Sequence, residues 1–409
     1  MKYLIIINLI GLFNRAYAEY PYETLDGNFN NSSPQTTYEV SNMPPTKSQD
    51  GIGLCYAFTS STLLENYRCK ELKLNCLEKE NLISTLDVSS FNQDREPRQL
   101  KEGGVPAYLL RSIKNSNKKL AKESCAKFNS LVHKLNSSSE ANERVGWKFL
   151  INSWTNFKKL TPKKQKDLVW CMVGAVKNNL RQIEAPEDQL YDAFLNARNL
   201  ENFLYKSILP TQCLQENNLL SVPDFNVYTY PSYNDKPNQQ QLEQKIETVL
   251  LNNIPIEMGI CTEEIGNNQK CPENQAHSIT LFGIRESCND LGDCRTMVRI
   301  KNSYGWSWQQ QNNDGWVDLS TLTKAAMDLQ NFDNITWITK PNQKLENKKL
   351  TRTGTSNKVN PDPIGSLIQN NFKPEKMPAE YKNFKGIWKC PGNKYVDQYA
   401  PGCVPYMKM

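Results

Sequence analysis

The stretch that decides the fold reads Gln49-Asp50-Gly51-Ile52-Gly53-Leu54-Cys55-Tyr56-Ala57-Phe58. Its two glycines break the chain, and the small and apolar residues that follow predict a buried helix beginning near Cys55. A thiol attacks a carbonyl as the thiolate, which a helix N-terminus and a neighbouring imidazolium both stabilise. Cys55 is therefore the candidate nucleophile, and Gln49 with the Cys55 backbone N–H forms the candidate pair of donors to an oxyanion.

The candidate general base is one of two residues, because the chain contains only two histidines. His133 lies in a basic helical segment and is interpreted as a surface or structural residue. His277 precedes the alternating run 278–284, which predicts a strand whose start is a rigid platform for an imidazole. Asn302 follows a second predicted strand at 297–300, and its amide is of the type that fixes the tautomer of an imidazole.

Five motifs, taken together and in order, resemble the papain-like (C1) cysteine peptidases. Their nucleophile motif places a Gln six residues before the Cys, the spacing found here between Gln49 and Cys55. Their histidine motif, H-[AS]-V-x-x-x-G, matches residues 277–283, and K-N-S-W-G-x-x-W matches residues 301–308. A Gly-Gly pair matches residues 103–104, and a strand with Pro before an apolar run matches residues 255–258. The resemblance covers about residues 38–110 and 220–340.

This resemblance implies an α+β, papain-like fold of two subdomains with a large helical insertion. A helical left lobe carries Cys55, an antiparallel β right lobe carries His277 and Asn302, and the cleft between the lobes holds the site. The implied activity is hydrolysis of peptide bonds in a polypeptide substrate through a Cys55 thioester, with His277 as acid and base and with no cofactor or metal. The substrate-binding residues that it implies are Gly53, Gly103, Gly104, Ala276 and Trp308.

Two alternative functions share this fold: a catalytically weak or inactive binding or structural protein, and acyl transfer through the same thioester. Three departures from the family pattern mean that the sequence does not exclude these alternative functions. Leu54 replaces a small residue and is expected to narrow the cleft, and Tyr304 replaces the Trp that shields the Asn–His contact. Ile52 replaces a Cys whose partner in the family lies near residues 101–102, so both ends of that disulfide are changed together.

The predicted insertion follows from the spacing of the motifs. Cys55 and His277 are separated by 222 residues, whereas the family separation is about 130–150. Apolar residues at helical spacing indicate that the additional residues form a helical basic insertion at about 111–215. Residues 111–187 hold 16 Lys and Arg against 6 Asp and Glu, while the whole chain has a net charge of only +6. An anionic partner, such as a membrane or nucleic acid, is one interpretation, and solvated helix faces are the other.

The ends of the chain predict export and a modular organisation. Residues 1–18 are interpreted as a signal peptide, since Lys2 precedes a short apolar stretch and Ala16-Tyr17-Ala18 is a small-x-small cleavage site. The predicted location is secreted or periplasmic, with no transmembrane segment after cleavage; a retained N-terminal anchor is the alternative. An arm at 19–37, a peptidase domain at 38–340, a polar linker at 341–380 and a tail at 381–409 complete the prediction. The arm is too short for the family's inhibitory propeptide.

Twelve cysteines in an exported chain predict disulfides. Closeness in sequence favours four local pairs, which are Cys69–Cys76, Cys261–Cys271, Cys288–Cys294 and Cys390–Cys403. With Cys55 kept as a thiol, two of the three remaining cysteines, Cys125, Cys171 and Cys213, are available to pair. A zinc site is disfavoured, because the chain has no C-x-x-C and only two histidines.

Overall fold

The computed structural model describes residues 37–49, 52–92, 98–116, 119–128, 140–180, 183–232, 237–262, 271–272, 275–288, 294–327, 329 and 334–350, together with two short strands near the C-terminus. The predicted signal peptide, the N-terminal arm, His133 and the Cys390–Cys403 pair lie outside the described residues. So do nearly all of the tail and the linker beyond residue 350. The division into domains stays a prediction.

The helical lobe is organised by one long helix, α1 (Cys55–Glu71), of which 14 of 17 residues are buried. A helix that is covered on all sides has no polar face, so its polar side chains need partners within the protein. The hydroxyls of Ser60 and Ser61 donate to the carbonyls of Tyr56 and Phe58 one turn earlier, at 2.7 and 2.9 Å. The helices α2 (Thr85–Ser89) and α3 (Pro106–Ser116) pack against α1.

Four further helices occupy the range predicted as a helical insertion. They are α4 (Glu140–Lys158), α5 (Pro162–Asn179), α6 (Glu187–Asn196) and α7 (Leu200–Ile208). Their buried side chains join the hydrophobic core of α1 and do not form a separate core. Phe194 contacts Phe157 and Phe203, with ring centroids 5.2 and 4.8 Å apart. The helical character of the segment is confirmed, and its status as an insertion into a smaller fold stays a prediction.

The second lobe is an antiparallel sheet in the order β4–β9–β5–β6–β7–β8, with β1 paired to β6. Its strands are β1 (Tyr38–Glu39), β4 (Asn226–Tyr230), β5 (Ile256–Cys261), β6 (Ala276–Cys288), β7 (Cys294–Lys301), β8 (Trp316–Asp318) and β9 (Ile335–Thr339). A separate pair, β2 (Leu120–Ala121) and β3 (Leu219–Leu220), lies in the helical lobe, and β10 (Trp388–Lys389) pairs with β11 (Tyr395–Val396). Three helices complete the β lobe: α8 (Gln239–Leu251), α9 (Gly305–Gln311) and α10 (Leu319–Met327).

The α+β class, with a helical lobe and an antiparallel β lobe, is confirmed. The strands predicted at 278–284 and 297–300 occur as β6 and β7 with shifted ends, and the apolar run at 255–258 lies in β5. Strand β9 was not predicted. All five of its residues are buried, so its sequence lacks the alternation that marks a half-exposed strand.

Disulfides join neighbouring segments in both lobes. The predicted local pairs Cys69–Cys76, Cys261–Cys271 and Cys288–Cys294 are confirmed. Cys125 pairs with Cys213 across 88 residues and so encloses α4 to α7. Disulfides of this number are typical of proteins that fold in an oxidising compartment. Within the described part of the chain, no helix is long and apolar enough to cross a bilayer.

The Cys125–Cys213 disulfide is expected to stabilise the helical lobe more than a short-loop disulfide does. It closes a loop of 88 residues, whereas Cys288–Cys294 closes a loop of 6. Loop-closure entropy predicts a loss of about 4–5 kcal/mol in unfolding free energy for the Cys125→Ser/Cys213→Ser variant. The matched Cys288→Ser/Cys294→Ser variant should lose about 2 kcal/mol. Urea unfolding followed by circular dichroism measures both, and equal losses would contradict the expectation.

Candidate active site

Cys55 is the first residue of α1 and the one free thiol among the described cysteines. No side chain caps this helix N-terminus, and the backbone N–H groups of Cys55 and Tyr56 in its first turn act to lower the pKa of the thiol. The backbone N–H of Ser278, in the opposite lobe, acts on the thiol in the same direction. The thiol therefore lies beside the start of β6, one residue from His277.

His277 and Asn302 meet because they lie near the same end of two adjacent strands. Thr280 of β6 is paired with Lys301 of β7, which brings the start of β6 beside the residue that follows β7. The imidazole Nε2 of His277 lies 2.9 Å from Asn302 Oδ1, and both side chains are buried. Since an amide oxygen can only accept, Nε2 carries the proton and the lone pair of the neutral ring is on Nδ1. This is the tautomer that a general base at Nδ1 requires.

Tyr304 covers the imidazole of His277. The two rings are parallel, with an interplanar angle of 0° and centroids 5.1 Å apart. Trp308 packs edge-on against Tyr304, at a centroid distance of 6.4 Å. Two aromatic rings thus shield the His277–Asn302 hydrogen bond from water, and Tyr304 takes the position in which the resemblance implies a Trp.

Gln49 is held next to the same two strands. Its backbone N–H donates to Ser303 O at 2.7 Å, and its side-chain Oε1 accepts from Ser303 Oγ at 2.5 Å. With Oε1 engaged in this way, the Nε2 group is the end of the amide that remains to donate. The side chain is only 6% exposed, so its orientation is fixed by the protein.

The loop before Cys55 is attached to the Gly103–Gly104 turn by hydrogen bonds in place of a disulfide. The Gly53 N–H donates to Glu102 Oε1 at 2.9 Å, and the Gly103 N–H donates to Gly53 O at 2.8 Å. A Cβ on Gly104 would lie 2.5 Å from Asn92 Oδ1, so only glycine fits there. The sequence showed that both ends of a disulfide were changed, but it did not identify Glu102 as the replacement.

The other predicted residues lie around this centre. Leu54 is fully buried in the core of the helical lobe, so the expectation that its bulk narrows the cleft was wrong. Gly103, Gly104 and Ala276 are exposed at the surface, and Trp308 is half-buried. The structure therefore joins His277 to Asn302 and places Gln49 against Ser303 and Cys55 near Ser278, each next to one of that pair; the catalytic roles and the substrate contacts stay predictions.

Burial keeps both members of the Cys55–His277 pair neutral. Desolvation raises the pKa of the Cys55 thiol to about 11, although neighbouring backbone N–H groups oppose the rise. Desolvation lowers the pKa of His277 to about 4, although the hydrogen bond that His277 donates to Asn302 opposes the fall. Between these two values a thiol faces a neutral imidazole, so a thiolate forms only when the proton moves to His277.

A polar cluster behind the pair was not recognised in the sequence. Glu257 of β5 is 2% exposed and accepts a hydrogen bond from Ser278 Oγ at 2.8 Å. The Ser278 hydroxyl lies 2.9 Å from the hydroxyl of Thr59, which is on α1. A signal did exist, because Glu257 is the one charged residue within the apolar run 254–260.

No protein-family model matches the chain, and no curated protein matches it. Among solved structures, it is similar to SERA5E from Plasmodium falciparum, with 15% identity, a TM-score of 0.38, and coverage of 73% of this chain and 89% of that one. It is also similar to bromelain from Ananas comosus in complex with the E64 inhibitor, with 11% identity and a TM-score of 0.36. That match covers 76% of this chain and all of the bromelain chain. Likeness at this level assigns neither activity nor residue roles.

Titration of His277 is expected to destabilise the protein as the pH falls. The pKa is about 4 in the folded state against an ordinary value of 6.5, so the unfolded chain binds more protons between these values. Stability is then lost as the pH falls through that window, by about 3 kcal/mol in total. Urea unfolding at pH 7 and pH 4 should show a loss larger by about this amount in wild type than in His277→Gln.

The only other histidine supplies the control for this measurement. A His133→Gln variant should keep the wild-type difference between pH 7 and pH 4, because His277 still titrates. An identical pH dependence in wild type and His277→Gln would show that the folded-state pKa of His277 is not depressed.

Proposed function

We propose that the protein is a secreted cysteine peptidase in which Cys55 is the nucleophile, His277 the acid and base, and Asn302 the residue that orients His277. The observation that supports this most is the 2.9 Å contact between His277 Nε2 and Asn302 Oδ1. It leaves Nδ1 as the basic nitrogen, beside the strand start where Ser278 contacts the Cys55 thiol. This arrangement has the nucleophile, base and orienting group that a thiol hydrolase needs.

The proposed reaction moves one proton between sulfur and imidazole. As the Cys55 sulfur attacks the peptide carbonyl carbon, its proton passes to His277 Nδ1 and a C–S bond forms. The Gln49 side chain and the Cys55 backbone N–H hold the oxyanion. When the C–N bond breaks, the imidazolium protonates the leaving amine. Water, with its proton taken by His277, then cleaves the thioester and restores the thiol.

A second candidate is a binding or structural protein with weak turnover. The observation that favours it is the neutral resting pair, since burial holds the pKa of Cys55 at about 11 and that of His277 at about 4. Acyl transfer through the same thioester is a third possibility, which differs only in the nucleophile that accepts the acyl group. Both alternatives keep Cys55 as the reactive residue of the site.

Labelling with the epoxide inhibitor E-64 tests the proposal. The wild-type protein should be labelled at Cys55, as located by mass spectrometry of its peptides, and should hydrolyse an unstructured polypeptide. Cys55→Ala should lose both, because no thiol remains at the site. Asn302→Ala should keep the thiol but lose roughly tenfold to a hundredfold in kcat/KM through misplacement of the imidazole. Labelling that persists in Cys55→Ala would overturn the assignment.

We further propose that the turn between α4 and α5 binds a polyanionic chain. Five exposed lysines lie within nine residues here: Lys158, Lys159, Lys163, Lys164 and Lys166. Helix α5 has no acidic residue in its first turn, where the helix dipole favours one, so Lys163, Lys164 and Lys166 do not serve helix stability. No large apolar side chain is exposed between residues 158 and 167, and the ring of Trp170, one turn further along α5, packs against Tyr191 at a centroid distance of 4.7 Å.

Retention on heparin at increasing salt tests this surface. The Lys163→Gln/Lys164→Gln/Lys166→Gln variant should elute at clearly lower salt than wild type, because fewer counterions are exchanged. A matched variant removes three exposed lysines from the β lobe and its C-terminal extension, at Lys324, Lys344 and Lys349. It has the same net charge and should elute close to wild type. Equal elution of the two variants, or binding only to anionic vesicles, would contradict the proposal.

A further inference from the structure

A chain of buried hydroxyls joins the two lobes directly behind the candidate site. On the helical side, Thr59 lies in the first turns of α1, with its Oγ1 3.2 Å from the carbonyl oxygen of Cys55. On the β side, Ser278 Oγ lies 2.9 Å from Thr59 Oγ1 and donates to Glu257 Oε1 at 2.8 Å. All three side chains are at most 5% exposed. The chain therefore runs from the Cys55 helix, through the strand of His277, to a buried carboxylate.

The number of available protons determines which group donates in each of these hydrogen bonds. A carboxylate only accepts, so the single proton of the Ser278 hydroxyl is committed to Glu257. Ser278 Oγ must then accept in its contact with Thr59, whose hydroxyl proton it shares with the carbonyl oxygens of Cys55 and Tyr56 at 3.2 and 3.1 Å. Glu257 thus fixes the rotation of the Ser278 hydroxyl and leaves its oxygen as an acceptor for Thr59. Without an acceptor at this position, the Ser278 proton has no fixed direction and the contact between the lobes is no longer specified.

We propose that Glu257 is a positioning residue that holds the first turn of the Cys55 helix against the strand carrying His277. This inference rests on the proposed function, because the distance that Glu257 fixes matters only if Cys55 is the nucleophile and His277 the base. The hydrogen-bond chain lies close to both residues, since Ser278 directly follows His277 and its backbone N–H helps to lower the pKa of the Cys55 thiol. Burying a carboxylate costs free energy, and a positioning role accounts for the presence of Glu257 within an apolar strand.

The carboxylate has an electrostatic consequence at the thiol. Its negative charge contributes to the raised pKa of Cys55, since it disfavours a second negative charge nearby. Tyr56 from α1 also interacts electrostatically with Cys55, and Glu102 faces Tyr56 from the neighbouring turn. His277 directly precedes Ser278 on β6. None of these changes when Glu257 is replaced by glutamine. Removing the charge while keeping the acceptor oxygen should therefore lower the pKa of Cys55.

The first measurement is alkylation of Cys55 by iodoacetamide as a function of pH, on the full chain under non-reducing conditions. Mass spectrometry of the Cys55 peptide gives the rate constant and its pH midpoint. Glu257→Gln keeps an oxygen acceptor for Ser278 and should move the midpoint down by roughly half a unit to one unit. A residue that only filled space would leave the midpoint unchanged. This chemistry needs a thiol but no peptidase turnover.

The second measurement is hydrogen exchange of the peptides that contain residues 55–59 and 276–279. Thr59→Val removes the cross-lobe donor and should speed exchange in both peptides by roughly tenfold, whereas Thr59→Ser should restore wild-type protection. Thr62→Val is the matched control. Thr62 lies on the same helix, is also buried, and bonds only within it, to Phe58 O at 2.9 Å, so its loss should change neither peptide.

The two proposals fail in different ways. Absence of E-64 labelling and hydrolysis in wild type would remove the peptidase but leave both measurements intact. The positioning role is overturned if Glu257→Gln leaves the alkylation midpoint at the wild-type value, or if Thr59→Val exchanges like Thr62→Val. If Glu257→Gln does not fold, Ser278→Ala provides the test, because it breaks the chain and keeps the charge. It should then speed exchange of both peptides without lowering the midpoint, and wild-type exchange in Ser278→Ala would overturn the role.

Discussion

The burial of α1 between the two lobes is the constraint on which the rest of the structure depends. A helix with 14 of its 17 residues buried cannot leave polar groups to water. Its hydroxyls therefore bond to carbonyls one turn back or, at Thr59, to the facing strand. The same burial brings the N-terminus of the helix, and with it Cys55, against the start of β6. The burial of α1 is thus the cause both of the position of Cys55 and of its desolvation.

Desolvation also determines the resting chemistry of the site. It raises the pKa of the thiol and lowers that of the imidazole, so both groups are neutral before a substrate arrives. The stacked Tyr304 keeps water from the His277–Asn302 bond and adds to this effect. In a pair of this kind, Cys55 is a neutral thiol and not a thiolate before a substrate binds. Its reactivity depends on proton transfer during attack, which makes the geometry of nucleophile and base more important than their charges.

The loop before Cys55 is held to the Gly103–Gly104 turn by hydrogen bonds. A carboxylate oxygen of Glu102 accepts the Gly53 N–H, and the Gly103 N–H donates to Gly53 O. The helices α4 to α7 extend the core of the helical lobe without forming one of their own. Both features lie in the helical lobe, whereas His277 and Asn302 are positioned by adjacent strands of the β lobe.

The sequence by itself determined the helical and β segments and three local disulfides, and it proposed the four residues of the candidate site, because spacing and alternation are local properties. It did not determine β9, whose residues are buried on both faces, nor the direction of Leu54, which depends on lobe packing. It also did not determine the roles of Glu102, Ser278 and Glu257. Their partners are distant in the chain, so only the tertiary structure brings them together and decides which hydrogen bonds satisfy each buried group.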